Sequence, residues 1–317
     1  MNMDKNKIII SHAPYLWKGF STTKIMYLVA AALILPTSAS IYYFGLPAVY
    51  IILASTITAF LTEYVIKKLR KKRFVNDGSA VVTGLLLALT LPPRMPVWMV
   101  VVGSFFAIAV AKEAFGGLGH NIFNPAIAGR AFLSVSFPAQ ITHWLEPVGF
   151  RPDAVTAATP LSPDFTYPGT QIQLYRDLFF GNVSGSLGET SAFLLIIGGI
   201  FLLSLRVIEW RIPVFYIGTV ALLSYLLGQD PLFQILAGGL MLGAIYMATD
   251  YVTSPLTGNG KLIFGIGLGI ITVLIRNFGA LDEGVVFSIL IMNAFNPLIN
   301  RYSKIKTLGL GKKKAAS

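Results

Sequence analysis

A loop with two threonine hydroxyls, the segment Asp-Ala-Val-Thr-Ala-Ala-Thr-Pro-Leu at 153–161, is the place best suited to covalent chemistry. Pro160 disfavours helical geometry at the residue before it, so Thr159 is predicted to be extended and to present its hydroxyl instead of burying it in a helix. The two alanines before Thr159 leave space around its hydroxyl. Taken alone, however, such a loop is far more often an ordinary turn.

A glycine-rich turn within 115–130 leads into an apolar segment that Asn124-Pro125 interrupts. Free backbone N–H groups there, with Asn121 and Asn124, are predicted to hold a polar ligand. Helix packing in which the asparagines satisfy the break is an equally good interpretation. Arg130 lies in the apolar segment and needs an anionic or carbonyl partner. It is therefore a functional candidate, with pairing to a helix C-terminus as the alternative.

Three carboxylates, Asp77, Glu189 and Asp250, lie at the edges of apolar blocks. Each either serves a cation path or caps a helix N-terminus, and capping is the favoured role for each one singly. Thr190 and Ser191 follow Glu189, and their hydroxyls are predicted either to face an internal cofactor or to hydrogen-bond the preceding turn.

Metal-based electron carriers are disfavoured by composition, because the chain has no cysteine and only three histidines. A disulfide, a protein-ligated iron–sulfur cluster and a c-type haem are excluded within this chain, and no two histidines have helical spacing for a metal or haem. An electron carrier held here would have to be organic, such as a flavin or a quinone.

Apolar residues make up 55% of the 317 residues and charged residues only 12%, which is too little polar surface for a soluble fold. A membrane span needs roughly 20 apolar residues. We predict about ten spans, at approximately 25–44, 46–66, 78–92, 96–111, 121–137, 186–205, 212–228, 231–248, 262–277 and 284–300.

The net charge of +11 reflects membrane topology, not nucleic-acid binding. With these spans and both termini in the cytoplasm, 20 of the 25 basic residues lie on the cytoplasmic side, including the Lys67–Arg73 cluster and Lys112. The other side keeps Arg94, Arg151, Arg176 and Arg276. The positive-inside rule therefore predicts cytoplasmic termini and contact of the basic cluster with lipid headgroups.

Five predicted spans precede a long polar loop and five follow it, which predicts two inverted repeats with broken helices inside one all-α membrane domain. The first repeat covers 1–137, the extracytoplasmic loop 138–185, the second repeat 186–303 and a basic cytoplasmic tail 304–317. The loop shows no evident secondary structure, and loops of this length are usually functional or disordered.

The segment Asp153–Leu161 resembles the flavin-attachment motif of the RnfD/NqrB family of membrane subunits. Other stretches follow the family in the right order over residues 12–300: 77–84, 116–126, 129–130, 185–191 and 250–255. The short N-terminus and Thr-Pro-Leu at 159–161 favour the RnfD branch, whereas Ala154 stands where the family usually has glycine. The resemblance implies FMN joined to Thr159 through a phosphoester, and a second, noncovalent riboflavin within the helices.

The same resemblance implies membership of a prokaryotic inner-membrane complex that couples electron flow between ferredoxin and NAD to Na⁺ or H⁺ movement. Implied partners are the A, B, C, E and G subunits of the Rnf complex, among them iron–sulfur and flavin subunits, and a flavin transferase. The chain would not be catalytic alone. Two alternatives remain at this stage: a solute channel or transporter of urea-transporter-like fold, and a structural anchor for soluble redox partners.

Overall fold

The computed structural model of the chain describes residues 21–71, 75–142, 144–147, 156–162, 165–189, 191–279 and 284–303. Regular structure in these residues is helical except for one pair of two-residue strands. The predicted all-α class is therefore confirmed.

The helices of the first half follow the apolar blocks closely. They are α1 (Thr22–Phe44), α2 (Leu46–Leu69), α3 (Ser79–Leu89), α4 (Val97–Ile108), which continues into a π-helical turn at Ala109–Glu113, and α5 (Pro125–Ser136). Gly45 separates α1 from α2 with a positive φ of 64°, a conformation that suits glycine.

The predicted fifth span begins later than expected. The Asn124 side chain accepts hydrogen bonds from the backbone N–H of Ala126 at 3.0 Å and of Ile127 at 3.5 Å, and Pro125 is the first helical residue. Asn124-Pro125 is thus an N-terminal cap and not an interruption inside the span, because proline is well suited to the first helical position. Residues 121–123 precede the helix.

The long loop contains secondary structure that its sequence did not reveal. Described elements there are α6 (Pro138–Ile141), β1 (Trp144–Leu145), β2 (Thr156–Ala157) and α7 (Gln171–Phe180). The strands pair antiparallel, Leu145 opposite Thr156. Thr170 and Gln173 form a reciprocal cap at the start of α7, so a capping signal was present in the sequence.

The second half differs from the predicted spans mainly at its third one. The helices are α8 (Ala192–Ser204), α9 (Arg211–Leu226), α10 (Pro231–Leu236), α11 (Leu240–Leu242) with a π-helical turn at Gly243–Met247, α12 (Gly258–Phe278) and α13 (Val285–Tyr302). The predicted continuous span 231–248 is wrong, because Gly238 and Gly239 take positive φ values of 70° and 66° and break it. The predicted span 186–205 is also not one continuous helix: a 3-10 turn, Leu187–Glu189, precedes α8.

Three of these helices, α1, α2 and α12, are long and apolar enough to cross a membrane, and α3, α8 and α9 are shorter apolar helices. The chain is a multi-pass membrane protein. The halves share a packing pattern: α2 contacts α4 as α9 contacts α12, and α4 contacts α5 as α12 contacts α13. The halves meet where α1 packs on α8 and α5 on α13. The repeat boundaries stay a prediction.

Candidate functional site

The Thr159 loop follows strand β2 and turns back at once, with the Ser162 N–H donating to the Thr159 carbonyl at 2.9 Å. Thr159 is outside any helix, as predicted, yet its side chain is buried, with 1% of its surface exposed. The expectation that the loop would present the hydroxyl is therefore wrong. Among the described residues, the Thr159 Oγ1 atom has no hydrogen-bond partner. The residues 153–155 of the motif lie outside those that the structure describes.

The loop is buried because it packs against the break between α10 and α11. The Leu161 side chain lies against the bare Cα of Gly238, where any side chain would collide with it. The Ser184 hydroxyl donates to the Ala158 carbonyl on the other side. These contacts fix the Thr159 backbone on the helix bundle.

Arg276 secures the same break from α12. Its guanidinium donates to the carbonyl oxygens of Gln234 at 2.7 Å, Ala237 at 2.9 Å and Gly238 at 3.3 Å. The last carbonyls of a helix lack intrahelical partners, and a cation there satisfies them and the helix dipole. Arg276 lies in the last turn of α12, inside the predicted span 262–277.

An open pocket, which we call the outer pocket, lies beside this loop and is lined in part by Ala158, Phe165, Tyr167, Asp177 and Ser184. The Tyr167 hydroxyl donates to Asp177 Oδ2 at 2.5 Å. This hydrogen bond is the main reason that the pKa of Tyr167 lies above its ordinary value. The phenol therefore keeps its proton at neutral pH.

A second pocket, which we call the inner pocket, lies beside the N-terminal part of α1. It is lined by apolar side chains such as Val29 and Leu202 and by a polar group that includes Lys112, Asn121, Asn124 and Asp250. The lining residues come from both halves of the chain. The structure therefore brings Asn121 and Asn124 together at one site, as their spacing suggested.

The two asparagines have different roles in the inner pocket. The Asn121 Nδ2 group donates to the Phe123 carbonyl at 3.0 Å, while its buried Oδ1 atom has no hydrogen-bond partner among the described residues. Asn124 is fully engaged: besides capping α5, its Nδ2 group donates to Met247 O at 3.2 Å and its backbone N–H donates to Asn293 Oδ1 at 3.1 Å. Asn121 is thus available to a ligand, and Asn124 holds the two halves together.

The remaining predicted residues lie elsewhere. Arg130 is buried in α5, where its Nη1 group contacts Ser134 Oγ at 3.4 Å, and it is not among the residues that line the inner pocket. Glu189 lies in the 3-10 turn beside Gly239. Ser191 caps α8 by accepting from Leu194 N–H at 3.3 Å, and Thr190 lies outside the described residues.

The two other carboxylates each accept hydrogen bonds from residues that follow them closely in the sequence. Asp77 Oδ1 accepts from the Ser79 N–H at 2.9 Å, at the start of α3. Asp250 accepts from the Val252 N–H at 3.3 Å and from the Thr253 hydroxyl at 3.0 Å. The favoured capping role is therefore observed for Asp77, whereas Asp250 holds a turn.

Buried charges are the feature that sequence reasoning missed. Lys112, which was grouped with the basic residues of the cytoplasmic edge, is 1% exposed and donates to Glu63 Oε2 at 2.8 Å. Glu63 is 2% exposed within α2. A signal existed, because Glu63 is a lone carboxylate within an apolar block and Lys112-Glu113 directly follows another.

Comparison with known proteins identifies relatives over nearly the full length. The sequence model of the NQR2, RnfD, RnfE family matches residues 9–309. The D subunit of the proton-translocating ferredoxin:NAD(+) oxidoreductase complex of Clostridium ljungdahlii is 45% identical over 316 residues, covering 95% of this chain and 96% of the relative.

Two further relatives have similar names. The D subunit of the Na(+)-translocating ferredoxin:NAD(+) oxidoreductase complex of Acetobacterium woodii is 44% identical, with 98% of each chain covered. The D subunit of the ion-translocating oxidoreductase complex of Stutzerimonas stutzeri is 39% identical, with 91% of this chain and 92% of the relative covered. The similarity therefore includes the Thr159 loop and both pockets.

Proposed function

The chain belongs to the NQR2, RnfD, RnfE family, and from this we propose that it is the flavin-carrying D subunit of an ion-translocating ferredoxin:NAD⁺ oxidoreductase complex. The relatives' names support a redox role over a solute channel of urea-transporter-like fold. The A, B, C, E and G subunits of the complex bring iron–sulfur clusters, which a chain without cysteine cannot ligate, and further flavins.

The covalent cofactor of this proposal is FMN, esterified through its phosphate to Thr159. The buried Thr159 hydroxyl without a partner is the observation that carries it, because an unpaired buried O–H is costly. An ester oxygen has no proton to donate, so esterification removes that unsatisfied donor. The adjacent outer pocket, with Phe165 and Tyr167 in its wall, offers space for the ring.

Burial of the Thr159 hydroxyl also limits when a flavin transferase can attach the flavin. A flavin transferase cannot reach an oxygen that is covered by the protein, and Leu161 packs against Gly238 when the loop is closed. We expect the transferase to act while the loop is detached from the α10–α11 break. Closure then fixes the attached flavin against the bundle.

The noncovalent flavin of the proposal belongs in the inner pocket. Its apolar lining suits a ring system, and the unpaired Asn121 Oδ1 acceptor suits an N–H or O–H donor of the ligand. When bound, a flavin supplies one-electron and two-electron chemistry. The chain's own contribution is to exclude water, orient the ring and set the local charge.

The proposed orientation places the two flavins on opposite sides of the membrane. The inner pocket is lined by Met26 and Val29 of α1, whereas Tyr43 at the other end of α1 donates to the Phe180 carbonyl of the long loop at 3.0 Å. At a rise of 1.5 Å per residue, Val29 and Met26 lie about 21–26 Å along α1 from Tyr43. The distribution of the basic residues supports an orientation with the inner pocket at the cytoplasmic side and Thr159 outside.

The test of covalent attachment is Thr159→Ala, which we expect to abolish the flavin fluorescence of the chain after denaturing electrophoresis. Only covalently bound flavin survives SDS. The substitution removes one hydroxyl that has no partner, so the protein should still insert in the membrane at near wild-type amount.

Ser162→Ala is the matched control, because Ser162 is a nearby hydroxyl of the same loop. This variant should keep full fluorescence. Fluorescence that persists in Thr159→Ala would place the attachment elsewhere, with Thr156 as the next candidate.

A further inference from the structure

A cluster of buried charges connects α2, α3 and the π-helical turn after α4. The Lys112 ammonium donates to Glu63 Oε2 at 2.8 Å and to the Ser79 hydroxyl at 2.6 Å. Glu63 is also paired with Lys67. The Ser79 hydroxyl in turn donates to Asp77. Lys112, Glu63 and Ser79 are all buried, so this cluster is a rigid polar element inside the helix bundle.

The cluster borders the inner pocket. Lys112 and Ser79 both line it, whereas Glu63 and Lys67 lie behind them. The π-helical turn Ala109–Glu113 carries Lys112, and such turns inside α-helices are frequent at functional sites. A second π-helical turn, Gly243–Met247, contributes Tyr246 to the opposite half of the lining. The pocket thus lies between two irregular turns, one of which supplies a cation.

Stability alone does not explain this ion pair. Taking a carboxylate and an ammonium out of water costs about as much as their attraction returns, so an apolar pair of the same volume would serve packing equally well. An ammonium also has three N–H donors, and Glu63 and Ser79 accept two of them. The remaining donor and the charge are features that a ligand of the pocket can use.

We propose that Lys112 is a charge-compensating residue of the inner pocket, held by Glu63, which stabilises a bound flavin once that flavin has taken up an electron. This inference rests on the proposed function, since it needs a flavin in the inner pocket. The electron comes from a reduced partner in the complex. No bond to Lys112 forms or breaks, and its proton stays on Nζ, so the electron is balanced by charge already present.

The charges facing Lys112 set the sign of the effect. Glu63 lies on its α2 side, Asp77 is linked to it through Ser79, and Asp250 lines the same pocket. Lys112 is the one cation among the residues that line this pocket in the described part of the chain. Removing Lys112 therefore leaves the described pocket lining without a cation, while Glu63 keeps its pair with Lys67. Neutralising Glu63 instead leaves the Lys112 charge without the carboxylate that it contacts.

The experiment is a redox titration of the noncovalent flavin in the full chain, purified in detergent in a Thr159→Ala background so that no covalent flavin contributes. Lys112→Met should shift the ratio of oxidised to reduced flavin at fixed potential about tenfold towards the oxidised form, which is 59 mV for one electron. Glu63→Gln should shift it in the opposite direction. Lys68→Met, on the exposed face of α2, should leave the ratio unchanged.

Opposite signs separate charge compensation from a purely structural role. If flavin stays bound and the two variants shift the ratio in the same direction, or not at all, the role of Lys112 is wrong. A wild-type chain that binds no noncovalent flavin instead overturns the inner-pocket proposal itself, together with this inference.

A further variant covers the case in which a single substitution prevents folding. Lys112→Met combined with Glu63→Gln removes both charges of the buried pair, so neither is left buried alone, and Lys67, which loses Glu63, is partly exposed to solvent. The chain should therefore fold. The ratio of oxidised to reduced flavin in this double variant should lie between the ratios of the two single variants. If the single variants cannot be purified, the ratio should be near that of the wild type. A shift larger than that of either single variant, or of tenfold from wild type, would contradict the proposal.

Discussion

Two single residues are informative because each has a buried polar atom that lacks a hydrogen-bond partner in the described part of the chain. Thr159 Oγ1 and Asn121 Oδ1 are both buried without a hydrogen-bond partner among the described residues. Buried polar groups of native proteins are nearly always paired, so an unpaired polar atom next to a pocket is a candidate for completion by a ligand or by a covalent change. One lies beside the outer pocket and the other in the inner pocket, which is why we assign one flavin to each.

The difference between Asn121 and Asn124 gives a test at this scale. Asn121→Ala should lose most of the noncovalent flavin with little loss of stability, because its side chain makes one hydrogen bond, to Phe123. Asn124→Ala should lower stability by about 1–2 kcal/mol through the lost helix cap alone. Flavin content after gel filtration and thermal unfolding in detergent measure the two effects. Equal flavin retention in Asn121→Ala and wild type would remove Asn121 from the site.

Helices were predictable wherever the apolar pattern and the local caps agree. The long blocks that became α1, α2 and α12 are set by length and hydropathy, which are local properties. The break at Gly238-Gly239 was not predictable in this way. Its stabilising partner is Arg276, about 40 residues later in the sequence, and its packing partner Leu161 is further away still.

The candidate site was predictable only in part, for the same reason. Thr159 was found from its motif, whereas its burial depends on the α10–α11 break. The Lys112–Glu63 pair joins residues 49 positions apart, and no local pattern shows that the two side chains meet. The sequence analysis therefore assigned Lys112 to the cytoplasmic edge of a span, did not single out Glu63, and could not pair the two.

The α10–α11 break gives a test at the scale of elements. Gly238→Ala should destabilise the protein by about 1–3 kcal/mol, because the residue has a positive φ, and its new methyl group would collide with Leu161. We expect less covalent flavin as well, since the loop can no longer close on the bundle. Gly218→Ala is the control, because nothing lies within 4 Å of its added methyl group. Wild-type flavin content and stability in Gly238→Ala would show that the break does not support the loop.

At the scale of the whole molecule, our proposal places one flavin near each end of the helix bundle, so the orientation of the bundle in the membrane sets the path that electrons must take. With the basic residues in the cytoplasm, electrons from a cytoplasmic donor must cross most of the bilayer to reach Thr159. One electron crossing against 100 mV corresponds to about 2.3 kcal/mol. In the proposed orientation such a crossing moves negative charge outward, and a compensating cation path is the physical basis that we propose for coupling to Na⁺ or H⁺.

Sidedness is testable with single cysteines, because the native chain has none. Ile172 in α7 and Tyr302 at the end of α13 are each 80% exposed, so cysteine at either position should react readily. In intact cells a membrane-impermeant maleimide should label Ile172→Cys and leave Tyr302→Cys unlabelled until the membrane is permeabilised. The reverse labelling pattern would invert the orientation and end the proposed electron route.

The most direct measurement of the central claim is mass spectrometry of the chain purified from its native membrane, first intact and then as peptides. The claim predicts an intact mass that exceeds the sequence mass by one FMN less one water, with the added mass on the peptide that contains Thr159. An intact chain at its sequence mass, or the flavin on a peptide without Thr159, would contradict it.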